Sequence, residues 1–199
     1  MLTQLSTVKA RLGIAATEPS YDTLLTQAIE ALGARFDREC NRVFGRTENA
    51  TFEFPARQTE VSPPCYPIES VSKFELKTSE QEGWQLVDPS PAYLIRAGCV
   101  ISLGQLPSSL NHQFSTCRLT YTGGYYLPDD PGYPLATLQY QLPPDLQQAV
   151  VEQITYWFQI RDKLGLVRYW PKDAAYEQFA DPDLLPGTRA ILTKYRRWS

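Results

Sequence analysis

The sequence predicts a mixed α+β protein in which N- and C-terminal segments form a helical bundle and a central antiparallel β insertion lies between them in the chain. Three observations predict it. Twelve of the 16 prolines fall between Pro55 and Pro144, while Ser20–Phe54 and Asp145–Trp170 contain none. Proline breaks helix interiors and central strands, so the two proline-free stretches are the places for long helices. Both stretches repeat apolar residues at helical spacing, and the segment between them holds short aromatic and β-branched runs bounded by Pro, Gly or Ser. The implied boundaries are residues 1–50 for the N-terminal helices, 51–142 for the β-containing insertion with its Tyr/Pro-rich loop, and 143–199 for the C-terminal helices that complete the core.

The first element is a short helix with Leu5, Val8 and Leu12 on one face and Gly13 as its stop. A longer helix starts near Ser20, with Leu24, Leu25, Ala28, Ile29, Leu32, Phe36 and Cys40 as its apolar stripe. Ser20 or Asp22 is suited to cap its start, and Gly45 lies just past its end. Strands follow at Thr51–Phe54, Val71–Leu76, Trp84–Val87, Tyr93–Ile95, Cys99–Leu103 and Arg118–Thr122. Arg96-Ala97-Gly98 reads as the turn of a tight hairpin. The third helix opens at Pro143-Pro144-Asp145, where proline fits the first turn and the carboxylate complements the dipole. Its face, Leu146, Ala149, Val150, Val151, Ile154, Trp157 and Phe158, is wide enough to be buried against more than one neighbour. A last helix is expected over Pro186–Arg197, presenting Ile191, Leu192 and Tyr195.

A chain that is 43% hydrophobic and 21% charged can bury a core, which excludes a wholly disordered protein. The opening MLTQLSTVKARLG lacks the apolar stretch of a signal peptide, so synthesis in the cytoplasm is expected. Cys40, Cys65, Cys99 and Cys117 form no CxxC pair and the single histidine is His112, so free thiols are expected and no metal. No phosphate loop, HExxH or GxSxG motif occurs, and Asp129-Asp130 and the Asp181/Asp183 pair sit beside prolines in turns. Gly123-Gly124 precedes tyrosines and proline, not a helix N-terminus, and so is no phosphate cradle. Neither catalysis nor a cofactor is expected.

Charge and aromatic residues are unevenly placed. Thr188–Ser199 holds Arg189, Lys194, Arg196 and Arg197 without an acid, so this tip is +4 and the remainder of a chain totalling −3 carries −7. With Tyr195 and Trp198 as aromatic anchors, the tip is a candidate dock for an acidic partner. Tyr125, Tyr126, Tyr133 and Tyr140 mark a second candidate, an interface with another subunit or a partner, because tyrosine is enriched where proteins meet.

These landmarks resemble a known family. LSTVKARLGI (Leu5 to Ile14), Asp22-x-Leu24-Leu25 with Ile29, Cys40-x-Arg42-x-Phe44, Pro67-Ile68-Glu69-Ser70-Val71, YTGGY (Tyr121 to Tyr125), Leu142–Asp162 and Leu185–Trp198 occur in the order found in head–tail connector, or head-completion, proteins of tailed double-stranded-DNA bacteriophages. The resemblance implies a homo-oligomeric ring, commonly a dodecamer, at the virion neck. The ring binds the portal protein on one side and a neck or tail terminator protein on the other, and DNA passes through it without sequence-specific contacts. It also implies that the C-terminal segment, Arg189 to Trp198, reaches the portal, and that the protein is structural with no enzyme activity. Minimal members are nearly all helical, so the β insertion is a departure. The competing expectation is a β-module binding a ligand or carbohydrate by stacking on Trp84 and the tyrosines.

Overall fold

The structure, a computed structural model, describes residues 1–104, 115–133, 136–161 and 183–197. It divides into two compact units, Met1–Cys40 with Leu142–Arg196, and Asn41–Gln141 with Arg197. The N-terminal part of the helical unit ends at Cys40, and β1 begins at Thr47, four residues ahead of the strand expected from Thr51.

The helical unit contains α1 (Leu5–Leu12), α2 (Asp22–Cys40), α3 (Pro144–Gln159) and α4 (Pro186–Tyr195). Val8, Leu25, Ile29, Leu32, Phe36, Leu146, Val150, Ile154 and Leu192 form its buried face. Each such side chain contributes about 1.5–3 kcal/mol when withdrawn from water. The wide face of α3 is accounted for within the unit, since α3 packs on α1, α2 and α4. Gly13 ends α1 in the left-handed conformation, as expected. The end of α2 differs: Asn41, at φ 51°, takes the left-handed position, not Gly45. Neither proposed N-cap of α2 performs that task. The Ser20 hydroxyl donates to Glu18, and the Asp22 carboxylate accepts a 2.7 Å bond from the Lys9 ammonium. That ammonium is buried and also donates to the carbonyls of Ala16 and Glu18, tying the α1–α2 connection together. α4 ends at Tyr195, short of the expected Arg197, since Arg196 is extended at φ −65° and ψ 128°.

Gln153 is a buried polar residue in the middle of α3. Its side-chain amide donates to the Asp183 carbonyl at 3.2 Å, and its carbonyl oxygen accepts the Leu185 N–H at 2.7 Å. One side chain therefore fixes the chain entering α4. The Tyr195 hydroxyl, donating to Asp145 at 2.7 Å, fixes the far end of α4 against the start of α3.

Among the described residues the sheet unit holds two antiparallel sheets in place of a single small β element. The first, ordered β1 (Thr47–Pro55), β7 (Thr116–Gly123), β3 (Ile68–Lys77), β4 (Gln85–Leu86), places β7 centrally. The second is ordered β2 (Glu60–Val61), β6 (Val100–Leu103), β5 (Tyr93–Arg96). β5 and β6 form the expected hairpin, with Ala97 and Gly98 both at positive φ in its turn. β2 escaped notice because two residues show no period, and Trp84–Val87 shortens to two paired residues. Along β7 every second residue is buried, and Cys117, Leu119 and Tyr121 join Phe54, Ile68, Phe74, Ile101 and Leu103 in one core.

The glycines of YTGGY are explained by crowding. A Cβ at Gly123 would collide with the Cys65 carbonyl oxygen, and one at Gly124, φ 101°, with the backbone of Gly45 and Arg46. Their role is close backbone approach.

Candidate interaction site

A charged cleft lies in the helical unit, where the C-terminal half of α2 faces the segment around α4. α2 supplies Arg35, Arg38 and Glu39. The α4 segment supplies Asp183, Arg189, Thr193 and Arg196. Two adjoining hollows share Glu39 and Arg196. One, of about 270 Å³, is lined also by Leu184, Arg189, Leu192 and Thr193; the other, of about 410 Å³, by Arg35 and Arg38.

Asp183 organises one side of this cleft. Its carboxylate accepts from both Arg35 and Arg189, and one of its oxygens also accepts the Leu184 N–H at 2.7 Å. Arg38 and Arg196 are exposed, and no ion pair forms between either and an acid among the described residues. Four guanidinium groups thus face two carboxylates, and Leu184 and Leu192, both buried, lie at the floor of the first hollow.

The residues expected to dock a partner are divided by the structure. Arg189 and Arg196 come together at the cleft. Lys194 is exposed in the last turn of α4, and Tyr195 is committed to Asp145. Arg197 belongs to the sheet unit, where its guanidinium lies 5.6 Å from the Phe52 ring centroid and its Nε is buried without a hydrogen-bond partner. Trp198 lies outside the described residues, as do Asp181 and His112. The sequence could not place Arg35 or Arg38 here, because the Arg35–Asp183 pair joins residues 148 apart.

The tyrosines expected at an interface are half-buried and bonded within the sheet unit. The Tyr125 N–H donates to Phe44 at 2.7 Å and the Tyr126 N–H to Tyr140 at 2.7 Å. The Tyr126 ring lies under the Arg46 guanidinium, 4.8 Å from centroid to carbon. The Tyr133 N–H donates to Asp130, and its carbonyl accepts from the Gln141 amide. The loop from Tyr125 is therefore anchored by its own backbone. The sequence did not single out the most exposed large apolar side chains among the described residues, Leu138 at 86% and Leu94, on the edge strand β5, at 71%. Such edges are where further strands pair.

Two polar clusters stabilise the sheet unit. Arg42, 3% exposed, donates to the Tyr66 carbonyl while its guanidinium lies 3.4 Å from the Tyr66 centroid, 4.6 Å from Phe44 and 5.2 Å from Tyr125. Glu75 accepts from Lys73 at 2.7 Å and from Arg118 at 2.8 Å. Lys73 first, then Arg118, hold its carboxyl below the usual glutamate range against the opposing effect of burial. The same Arg118 guanidinium lies 4.2 Å from the Trp84 centroid, so one face of the indole proposed to stack sugars is already covered.

No three His, Cys, Asp or Glu side chains among the described residues are grouped to hold a metal ion. Cys40, Cys65 and Cys117 are buried free thiols, and Cys99 is a half-buried one. Burial pushes the Cys117 thiol up to about 11, so it is un-ionised at neutral pH and a poor nucleophile. No helix among the described residues is long and apolar enough to cross a membrane.

No protein-family model matches the chain, and no curated protein matches it. Solved structures do share its fold. A chain in the neck of an empty gene transfer agent (GTA) particle, computed with C6 symmetry, is similar at TM-score 0.56 and 15% identity, over 98% of this chain and 89% of that one. A chain of the virion of a native GTA particle is similar at TM-score 0.57 and 16% identity, over 98% and 89%. One in the neck of a native GTA particle computed with C12 symmetry is similar at TM-score 0.53 and 16% identity, over 98% and 88%. At such identities the likeness establishes a shared fold, and it spans nearly the whole of this chain.

Proposed function

We infer that the chain is a structural protein of a phage-type virion neck, a ring-shaped head–tail connector between the portal and the tail or next neck protein, through which DNA passes. One observation carries the reading: the fold likeness to neck chains runs over 98% of the sequence, sheet-forming segment included. Helices from both ends of the chain act as one bundle in this reading, and residues 41–141 are an insertion that gives the minimal helical connector extra contact surface. Rotational symmetry belongs to the GTA necks, and a homo-oligomeric ring, with a dodecamer as its first candidate order, is what the proposal carries to this chain. A net charge of −3 suits a conduit that must not hold DNA. The basic C-terminal residues meet the portal, and Tyr125, Tyr126, Tyr133 and Tyr140 lie toward neighbouring subunits or partners. No catalysis and no cofactor enter the proposal.

The test is native mass spectrometry of the purified protein, alone and with its portal, together with peptide mapping of purified particles. The expected result is a multiple-copy ring on the portal and the chain present in necks. A protein that stays monomeric with portal present and is missing from particles overturns the proposal.

A further inference from the structure

We propose that the α2–α4 cleft receives an acidic segment of a partner protein, with two of its carboxylates on Arg38 and Arg196 and an apolar side chain beside Arg196 against Leu184 and Leu192. The inference rests on the reading of this chain as an assembly protein and names the chemistry its docking face selects. Arg35 and Arg189 are already held by Asp183, so they shape the cleft without being its free valence. Arg38 and Arg196 project planar forks, which pair with carboxylates bidentately, into adjoining hollows that share Arg196. Their joint volume suits a few side chains of a peptide.

Phosphate-rich nucleic acid fits less well. Glu39 lines both hollows, and Asp183 lies among the arginines. A duplex carries about one charge per 1.7 Å and would bring phosphates against these carboxylates. A peptide places its acids at discrete positions and can leave the two carboxylates facing neutral groups. The Leu184–Leu192 floor gives an apolar residue somewhere to go, which a sugar–phosphate backbone would not use.

The experiment uses the full chain and a fluorescein-labelled helical peptide bearing two glutamates and a leucine beside one of them, read by anisotropy at low salt. Comparison probes are the same peptide with glutamines and a labelled 20-base-pair DNA duplex. The glutamate peptide should bind, and binding should fall about tenfold, the equivalent of one charge-assisted bond, with either Arg38→Glu or Arg196→Glu. Raising the salt should weaken it further. Arg57→Glu, on an exposed arginine of the sheet unit, should change nothing. Circular dichroism checks that each variant is folded. The inference is overturned if the glutamate peptide fails to bind, if the glutamine peptide binds as well, if the two cleft variants bind like wild type, or if the duplex binds more tightly and loses binding with the same variants. A negative outcome alongside rings on the portal removes the cleft assignment and leaves the connector reading standing.

Discussion

Arginine is used in opposite ways in the two units. In the sheet unit Arg42 is almost fully enclosed, its charge spread over the faces of Phe44, Tyr66 and Tyr125 and one of its donors spent on a backbone carbonyl. In the helical unit Arg38 and Arg196 stand in solvent with no acid paired to them among the described residues. A buried guanidinium without partners would cost several kcal/mol, and Arg42 persists because the Tyr66 carbonyl and three aromatic faces meet its charge, although its buried Nε has no hydrogen-bond partner. An exposed one costs little and contributes little to stability, so Arg38 and Arg196 are free to be selected for what they bind. The same residue type therefore holds the fold in one unit and, in the proposal made above, serves recognition in the other, and burial with partners tells them apart.

That contrast can be broken at several points. The helical unit's core sets the upper limit of the expected effects. Ile154→Asp places a charge in the buried face of the helical unit and should cost more than about 4 kcal/mol, seen as loss of the cooperative transition in chemical denaturation. Next comes Arg42→Met, which keeps the length of the side chain but removes the charge and leaves the Tyr66 carbonyl without its donor. A loss of about 2–3 kcal/mol is expected, and an unchanged midpoint would mean that the aromatic cage is merely packing.

Glu75→Gln should cost about 1 kcal/mol at neutral pH, since Lys73 is half-exposed and solvent screens part of the attraction. Its sign with pH follows from the lowered folded-state pKa. The stabilisation is fully present above the unfolded glutamate value of about 4.3 and is lost as pH falls through the lower folded value. Wild type and Glu75→Gln should therefore converge in strongly acidic buffer, and a gap that stays constant with pH would refute the ion-pair account. The smallest expected change is that of Arg196→Glu, within about 0.5 kcal/mol of wild type by thermal unfolding. It is a cleaner probe of the proposed portal contact than a change that includes Arg197, because Arg197 lies over Phe52 with its Nε already buried. For the tyrosine loop, Tyr133→Ala is preferable to deleting Tyr125–Pro134, a segment whose Tyr125 and Tyr126 N–H groups bond to Phe44 and Tyr140.

What the sequence determined by itself is whatever depends on neighbours close in the chain. Proline excludes helix, and apolar residues three and four apart define a face, so α2 and α3 could be read with their buried residues almost complete. Gly13 and the Arg96–Gly98 turn were legible for the same reason, as was the mixed α+β class. Tertiary structure alone decided what depends on partners far along the chain. The β1-β7-β3-β4 order joins strands from three separate stretches, and no local pattern encodes which edges meet. Lys9, Arg42 and Gln153 look like surface residues in sequence, yet each is buried once its partners arrive. The basic tip was visible as a run of charge, but its partition was not: Asp183 neutralises Arg189, Phe52 takes Arg197, and Arg196 comes to share a cleft with Arg38. Electrostatic meaning depends on distance and solvent exposure, and those are properties of the folded chain.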